Sequence, residues 1–187
     1  MRTIKKLNPS DFDTVYSILE ESFPPDERRT YEGQRALLCN PKYCIYTFCE
    51  GEEVLAFMAI WDLLDLAFVE HFAVRPALRG NNIGSQMLKE IKELLNRDIC
   101  LEVELPNCEI AKRRISFYMR AGMFLNEYEY IQPAMAKGRA PVPLMIMTSD
   151  SFIDRVQFER IRNDLYTEVY DLSLDENKDL KKLVYHS

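Results

Sequence analysis

Residues 70–85 run Glu70-His71-Phe72-Ala73-Val74-Arg75-Pro76-Ala77-Leu78-Arg79-Gly80-Asn81-Asn82-Ile83-Gly84-Ser85. With Leu66 to Val69 before it, the first part is a strand that stops at Arg75-Pro76, where proline denies a sheet its donor. Beyond the loop, Ile83, Met87, Leu88, Ile91 and Leu95 form one apolar stripe, with Lys89, Glu90, Lys92 and Glu93 on the wet side. That spacing predicts an amphipathic helix over 82–95. The loop between them carries Arg79 and the flexible Gly80. A strand that passes through a basic loop into a helix start aims unpaired backbone N–H groups and the positive end of the helix dipole at one place. Such a place suits an anion. Gly84, in the first turn, lets a bulky phosphate approach where a Cβ would resist it. The lysine of nucleoside-triphosphate loops is absent and so is a GxGxxG run, so neither of those fingerprints applies.

Outward from this segment, the chain alternates strand and helix patterns. Thr3 to Leu7 reads as a first strand. Phe12, Val15, Ile18 and Leu19 predict a helix that stops at Pro24-Pro25, with Ser10 or Asn8 as its cap. A weaker helix covers Tyr31 to Cys39. Tyr43 to Cys49 and Val54 to Trp61 read as a hairpin turning at Glu50-Gly51-Glu52. Ile99, Leu101, Val103 and Leu105 alternate with Cys100, Glu102 and Glu104, as in a strand. Glu109 to Ala121 is helical, with Ile110, Arg114, Phe117 and Tyr118 along one side and Gly122 placed as a C-cap. Phe124 to Ile131 and Val142 to Thr148 are two final strands. Residues 152–170 form a further amphipathic helix, with Ile153, Val156, Ile161, Leu165 and Val169 on its apolar face, and a charged tail follows from Leu172. The order describes an α/β sheet with mixed strand directions.

The 187 residues carry 24 Lys/Arg against 30 Asp/Glu, a net charge of −6. Nucleic acid and anionic membranes are poor partners for such a molecule. From Arg75 to Arg120 there are nine basic and six acidic residues, a local +3, which leaves −9 for the rest. A basic middle fits a local anion site, and it fits equally two helices that expose lysines. Five cysteines without a CxxC or a nearby histidine indicate neither zinc nor a disulfide framework, and reduced thiols follow. The N-terminal residues lack the apolar run of a signal peptide, and no stretch approaches membrane-spanning length, so a soluble, cytoplasmic protein is expected.

Two segments together resemble the signatures of the GNAT superfamily of N-acetyltransferases. Arg79-Gly80-Asn81-Asn82-Ile83-Gly84 is similar to the acetyl-CoA loop Gln/Arg-x-x-Gly-x-Gly/Ala, with Asn82 in place of the first glycine. Ala111 to Met123 resembles the second signature, an aromatic or aliphatic residue and a tyrosine (Phe117-Tyr118) followed by x-x-x-Gly-Phe, with Met123 in place of phenylalanine. The resemblance covers roughly residues 3–148. It implies a single-domain fold with a twisted, mostly antiparallel sheet of about seven strands flanked by helices, and residues 149–187 as a C-terminal helical extension. That extension would complete the core, cover the acceptor cleft or form a homodimer contact.

The resemblance also implies roles. Backbone groups at Phe72 and Val74 would pair with the pantetheine arm of acetyl-CoA, and Arg79, Gly80, Asn82, Ile83, Gly84 and Ser85 would hold its pyrophosphate. Tyr118 would protonate the leaving thiolate; a phenol with a pKa near 10 is a competent donor to a group of similar basicity. Glu70 stands where members often carry a glutamate that works through water, with Glu102 and Glu104 as competitors. His71, by strand alternation, points away from Glu70 and is a packed histidine. Loops near 24–42 and 132–141 would hold the acceptor, and Tyr31 and Tyr43 with nearby acids suit a cationic amine. The expected protein is a metal-free acetyltransferase for a small-molecule or peptide amine. The alternative is a catalytically silent CoA-binding module of the same fold.

Overall fold

The computed structural model describes residues 1–172, and their chain path divides into two compact units, 1–99 and from 100 onward. In the first unit four strands pair antiparallel in chain order: β1 (Arg2–Lys6), β2 (Tyr43–Glu50), β3 (Glu53–Asp62) and β4 (Ala67–Val74). The helices α1 (Phe12–Ser22) and α2 (Tyr31–Ala36) lie between β1 and β2, and α3 (Ile83–Leu95) follows β4. β3 is buried at every position from Val54 to Trp61. A strand with no wet face needs cover on both sides, and α1 and α3 both pack against it.

The local signals act as expected here. The apolar stripe of α3 is buried at Ile83, Met87, Leu88 and Ile91. The hairpin turns at Gly51, whose φ is +64°. The second helix is α2 followed by a single tight turn at Leu37–Cys39, and Thr30 caps it by accepting from the Gly33 amide. Asn8 caps the short turn Pro9–Asp11 that leads into α1, and Asp11, at the α1 cap itself, makes no side-chain bond to the helix and accepts instead from Ser10 Oγ at 3.2 Å.

The second unit holds β5 (Ile99–Glu104, beginning at the boundary), α4 (Glu109–Arg120), β6 (Phe124–Gln132), β7 (Val142–Thr148) and α5 (Arg155–Asp164). β7 pairs antiparallel with both β5 and β6. The α/β class, seven mostly antiparallel strands, flanking helices and the extra C-terminal helix all match the sequence expectation.

Three faces differ from the periodicity. On α4 the buried stripe is Ala111, Ile115 and Tyr118, while Ile110 is exposed. Leu105 lies past the end of β5 and is exposed, so the alternation stops at Val103. On α5 and the wider helical turn Leu165–Val169 that continues it, Phe158, Ile161, Leu165, Tyr166 and Val169 are buried and Val156 is exposed. In each case apolar spacing marks a face, and the neighbouring strands decide how much of it is covered. The charged tail from 173 onward lies outside the described residues.

Candidate acetyl-CoA and amine site

The loop after β4 is shaped by its backbone. It tightens at Pro76–Leu78, extends at Arg79, and turns left-handed at Gly80 (φ +84°) and Asn82 (φ +59°, ψ 8°) before α3 begins. The position where the sequence departs from the family pattern is therefore one that needs the left-handed conformation. Asparagine is the non-glycine residue that tolerates it best, which explains why the substitution preserves the turn. A Cβ at Gly80 would meet nothing within 4 Å, so that glycine answers to its φ rather than to space.

The start of α3 is left open. Asn82 makes no side-chain bond to the helix, so the first-turn amides of Ile83, Gly84 and Ser85 have no cap. Asn81 turns its Nδ2 back to the Leu78 carbonyl at 3.1 Å. Arg79 donates from Nε to the Val74 carbonyl at 3.2 Å and from a terminal nitrogen to Ser22 Oγ, at the end of α1, at 3.0 Å. An uncapped helix start beside an exposed guanidinium fits a phosphate-type anion. Phe72 and Val74, on the last turns of the ladder, pair with Met58 and Ala56 of β3 and are half-buried.

Glu70 is displaced from that ladder. Ala59 pairs with His71 and Ile60 with Val69, which leaves Glu70 as the extra residue of a β-bulge. The Glu70 side chain is 1% exposed although the residue as a whole is half-buried; its exposure is therefore in the backbone that the bulge opens. The bulge also overturns the alternation expected for His71. Its Nδ1 lies 3.5 Å from Glu70 Oε2, too far for a hydrogen bond. His71 is packed nonetheless, with Nε2 2.8 Å from the Glu27 carbonyl and its ring edge-on to Phe23.

The partner of Glu70 has no counterpart in the sequence patterns. Arg29, between α1 and α2, donates to Glu70 Oε1. Burial drives the carboxyl upward, and Arg29 and His71 more than reverse that and hold it at about 2. Arg29 also stands over the Trp61 ring, 5.9 Å from its centroid. Trp61 meets Tyr43 edge-on at 5.1 Å, and Gln34 of α2 donates to the Tyr43 hydroxyl. Tyr31, by contrast, lies at the surface between Asp13 and Arg35.

On the second unit, Tyr118 is buried on α4, and burial pushes its phenol up to about 12, against the lowering effect of Arg114. Arg114, one turn earlier, is paired with Glu104. The helix ends as the sequence predicts: Gly122 is left-handed at φ +79°, and the Tyr118 carbonyl accepts from the amides of Ala121 and Met123. Glu102 accepts from the Tyr130 hydroxyl and, at 2.9 and 2.8 Å, from Tyr170.

Comparison with known proteins bears on the fold and the family. The sequence profile of the acetyltransferase (GNAT) family matches residues 12–123. A Bacteroides thetaiotaomicron structure assigned to that family is 34% identical, with a TM-score of 0.85 over 91% of this chain and 99% of its own. A protein of Bacillus subtilis (strain 168), provisionally named ribosomal protein bS18-alanine N-acetyltransferase, is 28% identical over 67% of this chain and 85% of its own length. An aminoglycoside 6'-N-acetyltransferase structure, complexed with coenzyme A, shares the fold at 16% identity, with a TM-score of 0.62 over 82% of this chain and 98% of its own. The family profile spans more than half of the chain, and the chain belongs to the GNAT family of acetyltransferases.

Proposed function

We propose that this acetyltransferase moves the acetyl group of acetyl-CoA to a primary amine by direct attack in a ternary complex. The observation that carries the cofactor half is the uncapped start of α3, with Gly80 and Asn82 left-handed before it. Arg79 and the amides of Gly80, Asn82, Ile83 and Gly84, with Ser85, hold the pyrophosphate. The backbone of Phe72 and Val74 aligns the pantetheine arm. The amine nitrogen attacks the thioester carbonyl, the C–S bond breaks, and Tyr118 gives its proton to the departing thiolate. A phenol held at about 12 keeps its proton at neutral pH, and it is a weaker acid than a free phenol, so the transfer waits on the thiolate charge that develops as the C–S bond breaks.

Three carboxylates compete to take the proton that the amine releases. Glu102 is engaged by two phenols and Glu104 by Arg114. Glu70 keeps Oε2 without a hydrogen-bond partner, which favours it. A carboxyl held at about 2 is a weak base, so Glu70 takes the proton, through water, once Arg29 has moved off it. The acceptor is a small-molecule or peptide amine, no metal takes part, and the cytoplasm, with its thiols reduced, is the setting. Residues 149–187 are an extension whose described part is seated on β6, with Tyr128 stacked on Phe158 at 4.7 Å.

The test is release of free CoA thiol from acetyl-CoA against a panel of amino acids, peptide N-termini, polyamines and aminoglycosides, beside calorimetric CoA binding. Turnover with at least one amine is expected. Binding without turnover on any of them would leave a silent CoA-binding module.

A further inference from the structure

We propose that Glu70 and Trp61 form the seat for the acceptor's ammonium group, and that Arg29 occupies this seat in the free protein. The inference rests on the transferase reading and adds the place and charge of the acceptor.

A carboxylate beside an indole face is the combination that recognises a cation. In this structure that combination already holds one, the Arg29 guanidinium, paired with Glu70 and standing over Trp61. Around it the hydrogen bonding is unfinished. Glu70 Oε2, Trp61 Nε1 and His71 Nδ1 are all buried and all lack a partner. Glu70 Oε2 and His71 Nδ1 lie 3.5 Å from each other and form one unfinished contact. Buried polar atoms are satisfied in the large majority of cases, and an unfinished contact beside an ion pair marks a place that something else completes. An ionised Glu70 is only an acceptor, so its vacancy takes a donor, which an ammonium is; Trp61 contributes its ring face, and its Nε1, only ever a donor, is not completed by a cation.

Arg29 is suited to leave. It belongs to the short segment between α1 and α2, which carries Pro24-Pro25 and a single tight turn at Pro25–Glu27. That segment is held by side-chain contacts, among them Tyr16 to the Arg29 carbonyl at 3.2 Å, His71 at the Glu27 carbonyl and Arg28 with Glu20 and Tyr16, both at 3.0 Å, and it belongs to no strand ladder. A buried ion pair gains little over its desolvation cost, so exchanging one cation for another on Glu70 is a small change in energy. A neutral or anionic acceptor could not make the exchange, because it would leave the carboxylate buried and uncompensated. The seat thereby selects a primary amine that arrives as its ammonium.

The decisive experiment fills the seat from solution. Arg29→Ala is melted in the presence of methylguanidinium or methylammonium chloride, with sodium chloride as the ionic-strength control. At about ten times the dissociation constant the melting temperature should rise by about 3–5 °C. Wild type, and the Arg29→Ala/Glu70→Gln double variant, should not respond. If Arg29→Ala folds only when one of these cations is present, the proposal stands. If it ignores both cations, or stays unfolded in both, the proposal is overturned. For an amine that turns over, Arg29→Ala should lower KM severalfold and leave CoA affinity unchanged; a raised KM would make Arg29 an anchor only. The melting test needs no acetyl-CoA, so it can fail while the transferase reading stands, and the reverse.

Discussion

Tyr170, just past the C-terminal helical segment, donates its hydroxyl to both carboxylate oxygens of Glu102 on β5, at 2.9 and 2.8 Å. The contact joins residues 68 positions apart and fastens the end of the described extension to the strand at the start of its unit. A hydrogen bond to a charged group contributes about 1.5–3 kcal/mol. Tyr170→Phe should therefore lower stability by about that amount in urea unfolding. An unchanged midpoint would mean that the latch contributes nothing.

Glu70 makes stability depend on acid. Its carboxyl is held at about 2 in the folded chain, against an ordinary value of 4.5. The stabilisation is fully present above about pH 4.5 and drains away as pH falls toward 2, by about 3 kcal/mol in all. Urea midpoints between pH 5 and 2 should fall more steeply for wild type than for Glu70→Gln. Parallel curves would place the low carboxyl elsewhere.

Tyr118 predicts a pattern in kinetics. Tyr118→Phe should reduce kcat by about a hundredfold or more with little change in CoA affinity. Since burial lifts the phenol to about 12, its proton is retained as pH rises through the working range. An alkaline limb in kcat below pH 10 should then persist in form in Tyr118→Phe; its disappearance would assign that limb to Tyr118 and contradict the raised value.

Asn82 can be tested through its backbone. Asn82→Gly should keep CoA affinity and leave stability unchanged or up to about 1 kcal/mol higher, because glycine adopts the left-handed conformation without strain. Asn82→Val should lose about 1–2 kcal/mol and weaken CoA binding, since the β-branched residue resists the turn that presents the amides. Equal behaviour of the two would show that the conformation does not matter for binding.

Arg79 is exposed, and its contribution should be screened by salt. Arg79→Ala is expected to weaken CoA binding about tenfold at low ionic strength and less at high, by calorimetry. An affinity that does not move would remove Arg79 from the phosphate loop.

Whatever depends on neighbours along the chain is legible from residue order alone. The strand–loop–helix at 70–85, the stripe of α3, the hairpin at Gly51 and the helix end at Gly122 all follow from period and backbone preference. At Asn82 the sequence shows only a departure from the family pattern, and the structure supplies the left-handed angle that asparagine tolerates. Tertiary structure decided which charges meet. Nothing near Pro24-Pro25 points to Glu70, yet Arg29 reaches it across 41 positions, because the segment between α1 and α2 lies against β4, with the Glu27 carbonyl at His71. The bulge that turns Glu70 out of register is set by how β3 and β4 pair, and it brings His71 to the side that strict alternation denied it. Ile110, Leu105 and Val156 lie exposed for a related reason: period says which residues share a face, and only the packed neighbours say where that face is covered.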